Sequence, residues 1–313
     1  MNNDDVSPAG ASSGASCASS GASCVPYLCV YASQAAACIG ENPHKKMGDA
    51  VEQVWERADR AGFRAALRRN AIVTDDDVLA RALTAHPEVT DIMKAADVPA
   101  GTSAEVASKY ASLSSRFKAF AGENKLDRSS VRVVDDALRK TSYTTYGNQQ
   151  ESTVFEYVRD TLGVDCVEDT TFYKVQAGVV DTPRGGVPWY IGGKIDGISA
   201  DRSLVIEIKN RVNRLFRRPP SYEMVQIQTY LELLGVDRGV LVECLRARGA
   251  VDVNVIPVTR NRDVWRDQYL PKLTGFVDFV GKIVHDEALQ DKFLRSKRRS
   301  AVVAAHVAKF TRP

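Results

Sequence analysis

Two short stretches of sequence decide how this chain folds: IGGKIDGI at residues 191–198 and LVIEIK at residues 204–209. Both are rich in branched apolar residues that favour β-strands, and a turn-forming Ala-Asp-Arg run at 200–202 lies between them. The spacing therefore predicts two antiparallel strands, over 189–195 and 204–208, that are joined as a hairpin.

The second strand carries two charged side chains on one face. Glu207 and Lys209 are two residues apart, and side chains alternate across a strand, so both point away from its apolar face. Asp196 ends the preceding strand, and the hairpin brings it beside Glu207. These carboxylates suit Mg²⁺, which takes one or two carboxylates plus water and phosphate, and the lysine can orient or deprotonate an attacking water. A surface salt bridge on an edge strand is the alternative interpretation.

Three neighbouring features favour the catalytic interpretation. Gln226 and Tyr230 are four residues apart on the next predicted helix, so one helical face can present both to the carboxylates. Glu151 lies early in the helix before the sheet, where it can supply a further carboxylate. Residues 207–218 contain one acidic residue and five basic ones, and a positively charged run of this kind suits a phosphodiester substrate. The basic residues are Lys209, Arg211, Arg214, Arg217 and Arg218.

Composition narrows the class of protein. The chain has 313 residues, of which 44% are hydrophobic and 26% charged, and this suits one large or two modest globular domains. No apolar run approaches the roughly 20 residues of a membrane span, so an integral membrane protein is excluded, as are collagen-like and wholly disordered chains. The net charge of +3 is too close to neutral to indicate a nucleic-acid partner by itself.

The N-terminal segment, residues 1–24, is of low complexity and repeats Ser-Gly-Ala-Ser-Cys at 13–17 and 20–24. It has too few apolar residues to offset the entropy of ordering, so we expect a disordered tail. Residues 1–40 contain no Lys or Arg, which argues against a signal peptide and for an intracellular protein with reduced thiols. The early cysteines match no common zinc module: they are Cys17, Cys24, Cys29 and Cys38.

The remaining sequence divides into two regions. Apolar spacing and a capping box at 102–105 predict a helical N-terminal region over 25–140, which we expect to flank the sheet. Residues 141–293 predict an α/β (α+β) fold with a central mixed β-sheet flanked by helices. Residues 294–313 are expected to be a basic C-terminal tail. The predicted helices cover 148–162, the stretch from Pro220 to Gly235, and 263–293, and the other strands cover 171–175, 239–245 and 251–258.

The site residues Asp196, Glu207 and Lys209 occur in the order that is typical of the PD-(D/E)XK nuclease superfamily, although Ile195 stands where the superfamily has proline. A second motif lies upstream, because SQAAACIGENP at 33–43 is similar to the pattern Ser-x-x-Ala-x-x-x-Gly-x-Asn-Pro. Over about residues 31–45 and 146–245 the chain resembles YqaJ-type viral recombinase exonucleases, which are relatives of lambda exonuclease. The matching core positions are Gly147, Glu151, Asp196, Gly197, Glu207, Lys209, Gln226 and Tyr230.

The resemblance implies a role for each site residue. Asp196 and Glu207 would bind Mg²⁺, with Mn²⁺ as a substitute, and Lys209 would assist the nucleophilic water. The supporting residues would be Glu151, Gln226 and Tyr230, the last by packing or hydrogen-bonding beside the others.

Two further groups are expected to contact DNA. In relatives the upstream motif helps form the DNA entrance, so Ser33 and Gln34 are expected there, with Gln34 standing where relatives often carry arginine. The basic run after the catalytic strand is expected to contact the DNA backbone through Arg211, Arg214, Arg217 and Arg218.

The same resemblance implies a sheet of the restriction-endonuclease-like type and a Mg²⁺-dependent deoxyribonuclease. It favours an exonuclease that acts on linear duplex DNA with a free end, in viral or phage-type recombination or replication. Such a protein would work inside a cell, in the cytoplasm or nucleus of a host if it is viral. Some relatives act with a single-strand annealing protein and some are ring-shaped homo-oligomers, so these partners are expectations.

Alternatives use the same residues differently. A sequence-nonspecific or structure-specific endonuclease has the same site chemistry. A catalytically silent DNA-binding protein would lack Asp196, Glu207 or Lys209, and all three are present. An iron–sulfur nuclease would have several cysteines after its core, where only Cys244 stands.

Overall fold

The computed structural model describes residues 27–149, 151–247 and 250–311, so the tail predicted over 1–24 lies outside the described residues. Within them, no helix combines the length and the apolar character needed to cross a membrane. The strands are β1 (Leu28–Tyr31), β2 (Cys166–Glu168), β3 (Phe172–Thr182), β4 (Gly185–Lys194), β5 (Gly197–Ser199), β6 (Leu204–Arg211), β7 (Arg238–Ala247) and β8 (Ala250–Thr259).

Helices surround these strands and fill most of the first half of the chain. They are α1 (Ala32–Cys38), α2 (Met47–Ala58), α3 (Arg60–Arg69), α4 (Asp75–Ala85), α5 (Pro87–Ala96), α6 (Ser103–Glu123), α7 (Arg128–Gln149), α8 (Glu151–Leu162), α9 (Ser221–Leu234), α10 (Arg262–Val264), α11 (Leu270–His285), α12 (Glu287–Arg295) and α13 (Arg299–Val307). A π-helical turn, Trp265–Tyr269, joins α10 to α11.

The strands form two sheets. One has the order β1-β4-β3, with β1 parallel and β3 antiparallel to β4. The other has the order β2-β5-β6-β7-β8, in which β6 and β7 are parallel and the other pairs antiparallel. Helix α9 connects β6 to β7, as a parallel pair requires. The predicted α/β class with mixed pairing and flanking helices is confirmed, with two sheets in place of one.

The predicted hairpin between 189–195 and 204–208 is wrong in one partner. Strand β4 pairs with β1 and β3, whereas β6 pairs with β5, a three-residue strand that follows Asp196. The cause is a tight turn in which the Ser199 hydroxyl accepts two backbone N–H groups from the residues that follow it. The chain reverses directly after β5, so Gly197 and Ile198 pair with β6, and Asp196 is still carried to its side.

Strand β6 lies in the middle of its sheet and is covered on both faces. On one face Val205 belongs to the core that includes α9, and on the other Ile206 and Ile208 pack with α8. Glu207 and Lys209 contact a side chain of α9, so the predicted alternation is confirmed. The edge-strand salt bridge is wrong, because β6 is paired on both sides and Glu207 is only 2% exposed.

The region predicted to be helical, 25–140, begins with strand β1, which pairs with β4, so the prediction is wrong there; from Ala32 onward the region is helical, and it has two parts. Helices α2 and α3 join the main core, in which Trp55 is fully buried. Helices α4 to α7 pack on one another around a separate apolar cluster that includes Ile92 and Phe117. The capping box predicted at 102–105 is present at the start of α6. The region is therefore a layer with a small helical core of its own, rather than the single flanking layer expected.

Residues 294–313 do not form the predicted basic tail over the part that the structure describes. Helix α13 packs back on the molecule, with Val303 and Val307 buried. These two valines are one helical turn apart, but the basic residues before the helix dominate the composition of the segment, so the apolar spacing is not evident from the sequence. The single helix predicted over 263–293 is also interrupted, at Asp286, whose side chain caps the start of α12.

Gly197 in β5 has no room for a side chain. An added Cβ would lie 2.2 Å from the ring of Phe155 and 2.8 Å from the carbonyl oxygen of Val167 in β2. We expect Gly197→Ala to lower the free energy of unfolding by about 1–3 kcal/mol, because the paired backbone of β2 cannot withdraw. Urea denaturation followed by circular dichroism measures the change.

Gly122→Ala is the matched control. Gly122 is exposed in α6, and an added Cβ would meet no described atom within 4 Å. Alanine is the better helix former, so this variant should gain about 0.5–1 kcal/mol of stability. Equal stability of the two variants would contradict the packing of β5 against α8 and β2.

Candidate active site

Asp196 stands in the turn between β4 and β5, where the chain passes from one sheet to the other. Its Oδ2 accepts a hydrogen bond of 2.6 Å from the backbone N–H of Ile208 in β6. This bond fixes the carboxylate beside β6 and close to Glu207. Burial raises the pKa of Asp196 above its usual value, while the Ile208 N–H and the Lys209 ammonium act in the opposite direction.

The Glu207 carboxylate is buried, and its two oxygens have different surroundings. Oε1 lies 2.5 Å from Lys209 Nζ and accepts a hydrogen bond of 2.7 Å from Gln226 Nε2. Oε2 has no hydrogen-bond partner among the described residues. Burial, and then the negative charge of Asp196, raise the pKa of Glu207 to about 8. This half-satisfied carboxylate has the electrostatics of a cation site.

The Lys209 ammonium group is fixed between two oxygens. Nζ donates to Glu207 Oε1 and, over 3.1 Å, to Gln226 Oε1. Burial alone would lower the pKa of Lys209, but the attraction of Glu207 outweighs it and raises the pKa. Lys209 is therefore a cation and a hydrogen-bond donor rather than a free amine.

Helix α9 supplies the other residues of the group. It begins after Pro220 and ends at Gly235, whose φ of 68° is the left-handed conformation of a glycine C-cap. Gln226 and Tyr230 lie one turn apart, and Tyr230 packs on Gly193, where an added Cβ would lie 2.9 Å from its ring. Burial raises the pKa of Tyr230, so the phenol keeps its proton and can donate a hydrogen bond.

The carboxylates fit a divalent cation of the magnesium type. Asp196 and Glu207 supply two hard oxygen donors, and Mg²⁺ takes one or two carboxylates and fills its shell with water and phosphate. The described residues include no group of three or more His, Cys, Asp or Glu side chains placed to hold a metal ion. Glu151 begins α8, but its side chain lies outside the described part, so its role stays a prediction.

Arg211 is held in ion pairs with two buried glutamates, contrary to the expectation that it is free to contact DNA. Its side chain is 11% exposed, and its guanidinium forms ion pairs of 2.7 Å with Glu223 of α9 and Glu243 of β7. Glu243 is fully buried and also accepts the backbone N–H groups of Phe216 and Arg217. A count of basic residues cannot reveal this, because the two glutamates lie 12 and 32 residues further along the chain.

The other three arginines of the basic run that were predicted to contact DNA are exposed in the loop between β6 and α9: Arg214, Arg217 and Arg218. Arg217 lies 3.6 Å from Asp252 and has a φ of 61°, in the left-handed region. Its backbone N–H is bound to Glu243, which holds the residue in that conformation. The loop therefore presents exposed cations after the strand that carries Glu207, and the backbone of Arg217 is held in place.

The upstream motif packs on α9, which connects it to the site. Helix α1 begins at Ala32, and its small buried side chains let it lie close to α9. Ser33 is exposed, and Gln34 accepts a hydrogen bond of 2.6 Å from Arg57 of α2. The guanidinium of Arg57 therefore lies beside this motif, although the motif itself contains no arginine. Sequence reasoning missed it, because only the packing of α2 beside β1 brings Arg57 there.

No family model matches the chain, and no curated protein matches it in sequence. Among solved structures, a phage-related exonuclease from Haemophilus somnus is similar, with 12% identity over 86% of this chain and 96% of that chain and a TM-score of 0.37. An alkaline exonuclease from Laribacter hongkongensis has 21% identity over 50% and 74%, with a TM-score of 0.32. Its complex with dAMP has 19% identity over 57% and 90%, with a TM-score of 0.32.

Arg211 and Arg214 are three residues apart in the basic run, so they form a matched pair of variants. Arg211→Ala leaves two buried glutamates without their cation, and we expect it to lower the free energy of unfolding by about 3–5 kcal/mol. Arg214→Ala removes an exposed charge and should change the stability by no more than about 0.5 kcal/mol. Thermal and urea denaturation measure both, and equal effects would contradict the structural role of Arg211.

Proposed function

We propose that this protein is a divalent-metal-dependent deoxyribonuclease whose active site contains Asp196, Glu207 and Lys209. The observation that carries the proposal is Glu207 Oε2, a buried oxygen with no partner among the described residues and with the charge of Asp196 nearby. An unpaired buried carboxylate oxygen costs free energy, and a bound cation recovers it. Mg²⁺ suits these ligands, with Mn²⁺ as a substitute.

Each residue has a distinct task in this proposal. Asp196 and Glu207 hold the ion, which when bound neutralises phosphate charge and makes a coordinated water more acidic. Lys209 donates a hydrogen bond to the phosphate or to the attacking water, and its positive charge offsets the negative charge that develops in the transition state. Its raised pKa favours this role over that of a base. Gln226 forms hydrogen bonds with both Glu207 and Lys209 and so holds the two side chains in position. Tyr230 packs against β4 beside them.

The substrate class follows from charge and from the sequence motifs. The exposed loop arginines after β6 suit a polyanion such as DNA. The resemblance to YqaJ-type exonucleases favours attack from a free end of linear duplex DNA in viral or phage-type recombination. It also suggests a single-strand annealing protein and further copies of this chain as partners, and a supporting carboxylate from Glu151. These finer points rest on the motif resemblance alone.

Hydrolysis of end-labelled linear and closed circular duplex DNA, with Mg²⁺ or with EDTA, tests the proposal. We expect degradation of the linear DNA in Mg²⁺ and none in EDTA. Degradation of the circle would change the assignment to an endonuclease. Absence of Mg²⁺-dependent hydrolysis with either substrate would contradict the nuclease assignment itself.

Variants of the three central residues test the site in the same assay. Asp196→Ala and Glu207→Ala should each abolish hydrolysis, because each removes a metal ligand. Lys209→Ala should lower the rate by about 10²–10⁴-fold through the loss of charge stabilisation. Adding Lys209→Ala to Glu207→Ala should slow the reaction hardly further, because residues that act as a unit are not additive.

Asp181→Ala is the control, since Asp181 is an exposed carboxylate on β3, and it should keep the wild-type rate. Lys209→Ala should retain DNA binding, because backbone contacts elsewhere carry most of the affinity. Full hydrolysis by purified Glu207→Ala would end the assignment of this site.

The double variant Arg217→Ala/Arg218→Ala tests the basic loop. It should weaken duplex DNA binding and reduce the slope of log affinity against log salt by about one unit for each lost phosphate contact. Fluorescence anisotropy over a range of salt concentrations measures the slope. The double variant Arg81→Ala/Lys94→Ala removes the same charge from exposed positions on α4 and α5 and should leave the slope unchanged. Equal slopes for the two double variants would exclude the loop from the DNA interface.

A further inference from the structure

The outer face of the three-stranded sheet carries rings and cations. Side chains of β1 alternate between core and solvent, and Tyr31 lies on the solvent side. The register pairs Tyr31 with Gly192, and Gly192 with Lys174, so these residues share one face. Arg57 reaches this face from α2. We define the aromatic face as Tyr27, Tyr31, Arg57, Phe172, Lys174 and Tyr190.

One half of the aromatic face consists of Tyr27, Tyr190 and Lys174. The two ring centroids are 5.5 Å apart in an edge-to-face arrangement. Lys174 Nζ lies 4.2 Å from the centroid of Tyr27 and 4.6 Å from that of Tyr190. Among the described residues no carboxylate forms an ion pair with Lys174, so its charge is available to an incoming anion.

The other half consists of Tyr31, Phe172 and Arg57. The ring centroids are 5.4 Å apart, and the guanidinium carbon of Arg57 lies 4.2 Å from the centroid of Tyr31. Phe172 is 44% exposed and lies against Gly192, where an added Cβ would be 2.8 Å from its ring. A glycine at this position therefore lets an exposed ring rest on the backbone of β4.

Residues of both halves, all of the aromatic face except Tyr190, line one cleft of about 520 Å³, and no acidic side chain lines it in the part of the chain that is described. This volume is within the range of about 300–1,000 Å³ that is usual for small-ligand sites. Rings alternate around it with two cations, Lys174 and Arg57. Neither forms an ion pair with a carboxylate of the described residues, and Arg57 donates hydrogen bonds to Gln34 and to the carbonyl of Cys29. Such a lining can stack a flat ring and pair with a phosphate at the same time.

We propose that the aromatic face binds single-stranded DNA, with bases stacked on the rings and phosphates paired with Lys174 and Arg57. Single strands are the class that fits, because the ring faces of bases are covered by their neighbours in a duplex and are exposed in an unpaired strand. The inference goes beyond the proposed function, and it stands on contacts that the carboxylate site does not share.

The aromatic face is close to the candidate active site through β4. Phe172 contacts Gly192 on the outer side, and Tyr230 contacts Gly193 on the inner side. Lys194 is exposed at the end of the same strand, two residues before Asp196. A single strand on the aromatic face can therefore continue toward the turn that carries Asp196.

Binding of a fluorescein-labelled oligothymidylate of about 20 nucleotides to the full chain in EDTA tests this inference, since an OB-type platform of comparable character covers about 4–16 nucleotides. We expect Phe172→Ala and Lys174→Ala each to weaken binding about tenfold. Lys174→Ala should also reduce the salt slope by about 0.7, the value for one phosphate contact on a single strand. Tyr157→Ala, which removes an exposed ring from α8, is the matched control and should bind as wild type.

An abasic oligonucleotide of the same length separates stacking from charge. The wild-type chain should bind it more weakly than the oligothymidylate, because the abasic strand offers phosphates without rings. Phe172→Ala should remove most of that preference, whereas Lys174→Ala should weaken both ligands alike.

Wild-type affinity for the oligothymidylate in both Phe172→Ala and Lys174→Ala would overturn the inference, as would equal binding of the two ligands by the wild-type chain. A face made for a protein partner would give that same result. Hydrolysis of linear duplex DNA by these variants is measured in parallel. Lys209→Ala should lose hydrolysis and keep oligothymidylate binding, so a failure of the aromatic face and a failure of the nuclease assignment are distinguishable. Circular dichroism of each variant confirms that it is folded.

Discussion

One hydrogen bond, from the backbone N–H of Ile208 to Asp196 Oδ2, ties the turn between the two sheets to the central strand β6. The carbonyl of Asp196 also accepts the N–H of Asp169, so this residue is bound through both its side chain and its backbone. The position of one carboxylate relative to Glu207 therefore depends on how the two sheets join. Helices α8 and α9 pack on the two faces of β6, the strand to which this turn is tied.

Two buried glutamates show how the same residue type serves structure and chemistry. Glu243 accepts from Arg211, from two backbone N–H groups and from Asn254, and these bonds outweigh burial and lower its pKa. Glu207 is equally buried, has one oxygen with no partner among the described residues, and has a pKa raised to about 8. A fully paired carboxylate such as Glu243 stabilises the fold. A buried carboxylate with an unpaired oxygen, such as Glu207, destabilises the fold and is typical of a binding site.

Local patterns in the sequence predicted what local physics controls. The alternation along β6, the C-cap of α9 at Gly235 and the capping box at the start of α6 depend on neighbours within a few residues, and all three are present. The short partner strand β5, the burial of Arg211 and the arrival of Arg57 depend on contacts between distant segments. Apolar content and charge counts do not record such contacts, so these features emerged only from the three-dimensional arrangement.

The paired glycines of β4 have a consequence for how this protein can change. Gly192 and Gly193 make the wall between the aromatic face and the carboxylate site only one polypeptide backbone thick, with Phe172 on one side and Tyr230 on the other. Two surfaces that share so thin a partition cannot diversify independently. A side chain gained on either side would push against the ring there, and the displaced strand would move the opposite surface. A substitution at either glycine is therefore expected to alter both surfaces together.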